Sequence, residues 1–220
     1  MNHKQDLSKL IFLPLDMPSP PDILDVLIEE DEALYHCEYK QSDIIVMFDK
    51  GIHYPIMDKI PEFTEWMNKE LIPWTGEGSI CVIITRPTET MPVHIDCEPE
   101  KFHTLQHKFR YVYQGNTTDL RWKRKDKWVH ANPVNEPYMI SGRWPHGLIN
   151  TTNETRYTLC LGAPWESDLA DDKYREMLEK SYAKNKDRGI FFDDWELPDN
   201  WKDLFDLERY TIPDDLKPIT

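Results

Sequence analysis

The sequence predicts a mostly β protein with flanking α-helices: a sandwich or jelly-roll core, closed by a helical C-terminal extension. Two observations carry this. The middle of the chain holds eight short runs that suit strands, divided by Gly, Pro and Asn turns. On either side lie segments whose apolar residues recur at helical spacing. At 220 residues the chain is long enough for one domain that buries about 70% of its unfolded surface. We read 1–220 as that domain: 1–78 bracing the core, 79–165 forming it, and 166–220 extending it.

Each element has its own signal. Residues 9–15, KLIFLPL, read as a short strand. The SPPD that follows starts a helix capped by Ser19 or Asp22 and running to Glu30, with Ile23, Val26 and Leu27 apolar. Residues 44–48, IIVMF, read as a buried strand. Residues 61–74 form an amphipathic helix with Pro61 in its first turn and Phe63, Trp66, Met67 and Leu71 as its core stripe. Both helices are expected to brace the outside of a sheet. The strand series is 79–85, 92–96, 108–115, 119–124, 126–131, 138–141, 146–150 and 156–161. A charged helix over 168–189 follows, with Tyr174, Met177, Leu178 and Tyr182 as its apolar stripe. The acidic, aromatic remainder holds enough Trp, Phe and Leu to pack over the core, as an extension, a lid or a dimer contact.

Composition limits the partners. A net charge of −14 argues against general binding to nucleic acid or anionic membranes. The four cysteines, at 37, 81, 97 and 160, form no CxxC and no disulfide framework, so a reducing, cytoplasmic setting is expected. The N-terminal apolar run is broken by Pro14 and reads as neither a signal peptide nor a membrane span.

The chemistry gathers between Met91 and Pro164. His94 and Asp96 are two apart, and side chains two apart on a strand share a face. His146 follows fifty residues past Asp96. Two histidines and one carboxylate suit iron(II), with positions left open for substrate and oxygen. Ten residues on, Arg156 shares a strand face with Thr158, while Tyr157, Leu159 and Leu161 alternate on the other. An inward arginine beside a hydroxyl is what a bidentate carboxylate clamp requires. A lone His-x-Asp is uninformative; the ordered set in a strand context is not.

In these residues the chain resembles the iron(II)/2-oxoglutarate-dependent oxygenases. Their pattern is His-x-Asp, a long gap, a distal His, and an Arg or Lys about ten residues later, often followed two on by Ser or Thr. The resemblance covers residues 80–165, and PHGLIN and ETRYTL look most like the aspartyl/asparaginyl β-hydroxylase and small-molecule hydroxylase branches. It implies a double-stranded β-helix core of eight strands. It implies iron(II) on His94, Asp96 and His146, with 2-oxoglutarate held by Arg156, Thr158 and, from the next strand, Arg110. Dioxygen and an amino acid, peptide or other small molecule would be the remaining substrates. A carboxylate at 96 points to hydroxylation, since halogenating relatives carry Ala or Gly there. The alternative is a non-catalytic cupin-like binding or structural protein.

Other residues carry two readings each. His130 competes for the distal position but has no suitably spaced cation beyond it, and otherwise reads as a hydrogen-bonded strand residue. His36 has metal spacing to Glu38 in a charged, partnerless segment, which reads as surface. His103 and His107 stand with Arg110 among the basic residues after His-x-Asp, against the plainer reading of a surface strand charge. The run RWKRKDKW places five cations in the seven residues 121–127, interleaved with Trp122 and followed by Trp128. It is either an anion- or nucleic-acid-binding signature or a hairpin with a solvated face. Arg143 and Trp144 are expected at the mouth of the site, and Asn150, in phase with His146, faces inward.

Overall fold

The computed structural model describes residues 9–32, 36–39, 42–75, 78–96, 107–125, 127–162 and 172–192. In chain order these form β1 (Leu10–Pro14), α1 (Leu24–Asp31), β2 (His36–Tyr39), β3 (Ser42–Asp49), β4 (Ile52–His53), α2 (Ile56–Lys59) and α3 (Pro61–Trp66). A π turn over Met67–Leu71 leads into α4 (Ile72–Thr75). Then come β5 (Ser79–Thr85), β6 (Thr90–His94), β7 (His107–Gln114), β8 (Leu120–Arg124), β9 (Lys127–His130), β10 (Tyr138–Ser141), β11 (His146–Ile149) and β12 (Arg156–Gly162). Helix α5 (Asp172–Asn185) and β13 (Ile190–Phe191) complete the description.

The strands build two antiparallel sheets. The large sheet runs β13-β1-β10-β7-β12-β5-β3-β2, with β4 paired to β3; the small sheet runs β6-β11-β8-β9. From β5 onward the chain alternates between them. β5, β7, β10 and β12 lie in the large sheet, and β6, the β8–β9 hairpin and β11 in the small one. Eight strands wound in this order are a double-stranded β-helix, a jelly roll whose two sheets face one another. The expected eight runs and the expected fold class both hold.

Two apolar layers hold the sheets in place. Ile11, Phe12, Leu120, Trp122, Tyr138, Ile140 and Leu148 come from both sheets and fill the space between them. On the far side of the large sheet, Val82, Ile84, Phe109, Leu159 and Leu161 pack with Leu27 of α1, Phe63 and Trp66 of α3, and Met177 and Leu178 of α5. Alternation along each strand divides residues between these layers, so β12 sends Leu159 and Leu161 outward to the helices and keeps Arg156 and Thr158 inward. A fully buried leucine or phenylalanine contributes roughly 1.5–3 kcal/mol. Both braces therefore do what their apolar stripes predicted. The C-terminal end of α1 is also tied down, with Arg86 donating to both oxygens of Asp31 at 2.9 and 2.8 Å and Tyr157 donating to Asp31 at 2.9 Å.

Several boundaries differ from expectation for identifiable reasons. The N-cap of α1 is Ile23, not Ser19 or Asp22, and its side chain makes no cap bond; Asp22, one residue earlier, accepts the Leu24 N–H on Oδ1 at 3.1 Å. The 61–74 helix widens into a π turn just before Pro73, which has no N–H for the helical ladder and a ring that crowds the preceding turn. β3 extends two residues before IIVMF and pairs with β2, a strand the charged HCEY segment gave no sign of. β6 ends at His94, so Asp96 sits beyond the strand and not on it. The 168–189 helix is described from Asp172 and ends at Asn185 in a 3-10 turn. Among the described residues, no helix is long and apolar enough to cross a membrane. The acidic remainder from 193 onward lies outside the described residues.

Candidate metal centre and anion clamp

His94 and His146 are direct cross-strand partners on β6 and β11, and their rings lie 4.4 Å apart between centroids. Each histidine is oriented in the same way. The Nδ1 of His94 lies 2.8 Å from the carbonyl of Pro92, and the Nδ1 of His146 lies 2.8 Å from that of Trp144. A carbonyl accepts only, so each Nδ1 carries a proton and Nε2 is the nitrogen left to face a metal. Both Nε2 atoms face Asp96, His94 at 3.6 Å from Oδ1 and His146 at 3.3 Å from Oδ2. One ligand atom from each of the three lies within 4.8 Å of the others. Burial pushes His146 down to about 3, with the charges of Lys108 and Arg110 acting the same way against the Trp144 carbonyl. It is therefore neutral near pH 7, the protonation state a metal ligand needs.

Asp96 is placed by the opposite sheet. Its N–H donates to the carbonyl of Gly142, just past β10, at 2.7 Å. Its Oδ1 pairs with Lys108 of β7 at 2.8 Å, with the carboxylate only 3% exposed. Gly142 is required here by close approach: a Cβ would stand 2.5 Å from the Cβ of Asp96 and 2.6 Å from its Oδ2. Neither Lys108 nor Gly142 was singled out by sequence. A lysine two before Arg110, in phase with it on one strand face, was the signal available.

Arg156 is 2% exposed and among the largest fully buried side chains. Its Nε donates to the carbonyl of Asn116 at 3.3 Å, and its Nη1 donates to the hydroxyl of Thr158. Its Nη2 is buried without an acceptor at hydrogen-bond geometry. Among the described residues, no carboxylate of the chain pairs with it. The stem of Arg156 passes under Gly115, whose φ of +108° and 2.6 Å approach to Cγ both exclude a side chain. Arg110 is the register partner of Tyr138 and Cys160. Its charge reaches His146, Tyr138 and Cys160. Lys108, Arg110 and Arg156 thus make a cationic interior inside an acidic protein.

The remaining candidates separate cleanly. His130 is exposed, its Nδ1 lying 2.9 Å from the Thr118 carbonyl, in keeping with the strand-residue reading. His107 faces α5, with Nδ1 2.6 Å from the Tyr174 hydroxyl, and burial keeps it well below the usual histidine range. His103 lies outside the described residues, as do the side chains of His36 and Glu38. The basic run is the β8–β9 hairpin, where Arg121 and Lys123 stack on Trp128 at 4.3 and 5.1 Å. Trp144 is not at a mouth: it is 4% exposed and packs against Phe192 at 4.6 Å. Its indole gains more from the layer between the sheets than from solvent. Asn150 is buried as expected but holds the β11–β12 turn, donating to Thr85 at 2.8 Å and Glu154 at 2.7 Å.

No family model matches the sequence, and no curated protein matches it either. Solved structures do. A prolyl hydroxylase from Trichoplax adhaerens, in complex with a hypoxia inducible factor oxygen degradation domain peptide fragment, is 11% identical with a TM-score of 0.49. The match covers 76% of this chain and 92% of that one. A Pseudomonas putida prolyl-4-hydroxylase is 14% identical, with a TM-score of 0.44 over 73% of this chain and 96% of its own. A 2OG-Fe(II) oxygenase family oxidoreductase from Burkholderia pseudomallei is 9% identical, with a TM-score of 0.42 over 74% and 93%. Likeness at this level speaks to neither substrate nor activity, which the geometry of the chain itself must carry.

Proposed function

We propose that this chain is an iron(II)- and 2-oxoglutarate-dependent dioxygenase that hydroxylates an amino acid, a peptide or another small molecule. The observation that carries the reading is the pairing of two features in one interior. His94, Asp96 and His146 turn two imidazole nitrogens and a carboxylate toward one point, and Arg156 lies buried with no carboxylate paired to it among the described residues. A buried guanidinium without a counter-charge is costly. A bound dicarboxylate would relieve that cost, and under this reading its other end would be the metal's.

The donor set fits the metal, since two imidazoles and one carboxylate leave coordination positions open. When bound, iron(II) would supply the redox chemistry, coupling dioxygen reduction to oxidative decarboxylation of 2-oxoglutarate to succinate and carbon dioxide. The chain supplies position and dryness. Pro92 and Trp144 hold the two imidazole tautomers. Lys108 holds one carboxylate oxygen of Asp96. Arg156 and Thr158 orient the far carboxylate of 2-oxoglutarate, and Arg110 adds charge near the metal end. The apolar layer between the sheets excludes water from these contacts.

The test is turnover of 2-oxoglutarate to succinate with iron(II) and ascorbate, against a panel of free amino acids and peptides. Succinate formed by the wild type and lost in His146→Ala is the expected result. Equal background from both proteins would return the chain to a non-catalytic cupin-like binding protein.

A further inference from the structure

One pair of reactive groups on the inner face of the large sheet has no part in this chemistry. Cys81 of β5 and Cys160 of β12 are direct antiparallel register partners. Directly opposed residues of such a pair have Cα atoms about 4.5–5.5 Å apart, inside the roughly 4.4–6.8 Å that a disulfide spans. Both are buried thiols outside any disulfide, 7% and 3% exposed. Cys160 is in phase with Thr158 and Arg156, and Arg110 is its partner on the other flank. The two sulfurs therefore lie in one row with a cation, along the wall of the proposed cofactor cavity. Burial pushes the Cys160 thiol up, but its hydrogen bond with Cys81 and the charges of Arg110, Lys108 and Arg156 bring it down to about 7. Such a thiol is largely or partly thiolate near neutral pH, and the thiolate is the nucleophile.

We propose that Cys81 and Cys160 are a peroxide-oxidised dithiol that closes to a disulfide across β5 and β12. The Cys160 thiolate attacks one oxygen of hydrogen peroxide, the O–O bond breaks, and the departing hydroxide takes a proton to become water. The product is a sulfenic acid on Cys160. The sulfur of Cys81 then attacks that of Cys160, and the second oxygen leaves as water with the proton of the Cys81 thiol. Two thiols lose two electrons and two protons, and with them one peroxide becomes two waters. The crosslink forms two residues from Thr158 and four from Arg156, on the face they share. Under the proposed function, and only there, it follows that 2-oxoglutarate shields the pair.

The experiment uses the full chain, reduced, freed of metal and kept in chelator to suppress iron-driven oxidation. After one equivalent of hydrogen peroxide, remaining thiols are alkylated and the digest is mapped by mass spectrometry. The expected product is a linked Cys81–Cys160 peptide pair, lighter by two hydrogens than the separate peptides, absent from Cys160→Ser. In Cys81→Ser the same treatment adds oxygen to Cys160. Both thiols recovered alkylated would overturn the proposal, as would links to Cys37 or Cys97 as abundant as the Cys81–Cys160 link. The wild-type map decides this even if a serine variant fails to fold. A parallel sample saturated with 2-oxoglutarate should crosslink more slowly. An unchanged rate there would count against the cofactor position and leave the disulfide standing.

Discussion

Replacing Gly142 by alanine should disable the metal centre without touching any ligand. Gly142 has no positive φ, so its backbone accepts alanine and the only obstacle is contact. The new methyl would stand 2.5 Å from the Cβ of Asp96, where ordinary van der Waals contact begins at 3.4 Å. The shortfall is about 1 Å. Either Asp96 retreats by that amount, or the Gly142 segment does and stretches the 2.7 Å bond from the Asp96 N–H. Both routes misplace the carboxylate by about 1 Å, an error worth on the order of a hundredfold, or about 2.7 kcal/mol. The crowding itself should lower stability by about 1–3 kcal/mol. Anaerobic calorimetric titration of iron(II) into wild type and Gly142→Ala, with a melting curve on each preparation, measures both. Wild-type iron affinity in a variant that still melts cooperatively would refute the placement of Asp96. Gly115→Ala makes the converse case: strain and a clash with Arg156 should weaken 2-oxoglutarate binding while iron binding persists.

Arg156→Ala should weaken 2-oxoglutarate binding by about ten- to a hundredfold, the worth of a charge-assisted bidentate pair, and Arg156→Lys should restore only part of it. Direct titration of the cofactor reads this, and unfolding with no selective loss would make Arg156 a structural charge. Lys108→Met should free one oxygen of Asp96 and lower iron affinity by about 10- to 100-fold; an unaltered iron isotherm would show that Lys108 plays no part in positioning the ligand. The acid sensitivity of the iron-free protein should follow His146, whose folded value is lowered to about 3 by burial. The unfolded chain takes up its proton near pH 6.5 and the folded one does not. Stability is therefore full above about 6.5 and falls toward 3, by about 2 kcal/mol at pH 5. Urea titrations at pH 7 and 5 should show that difference shrink in His146→Gln, and an identical pH slope in the two proteins would contradict it.

What could be read from the sequence was whatever depends on short spacing. The period-two runs gave the core strands and sent Arg156 and Thr158 to one face. Ligand types at ordered intervals brought His94, Asp96 and His146 together before any fold was known. The inner-face lysine that pairs with Asp96 was harder, because Lys108 reads as an ordinary strand cation until the two sheets are stacked. Gly142 was invisible for the same reason: its need is set by Asp96, forty-six residues earlier. Trp144 misled because nearness in sequence to His146 suggested nearness to substrate. Trp144 lies in the turn before β11, where strand phase does not set its direction, and its indole packs into the layer between the sheets against Phe192. β2 went unseen because its charged HCEY segment pairs only along one edge, where backbone bonds and not apolar periodicity decide.

The three ligands of the proposed centre do not come from one layer of the sandwich. His94 and His146 stand on the small sheet, whereas Asp96 is held by Lys108 on the large one and by Gly142 in the turn that follows its strand β10. An ion bound here would rivet the two layers to each other, and its affinity would measure the gap between them. Any substitution that lets the sheets slide or part, however remote from the ligands, would then register first as lost metal and only later as lost fold. Conversely, loading the ion should raise the melting temperature, by RT ln(1 + [L]/Kd) of added stability. Warming the loaded protein should release iron just before the sheets come apart.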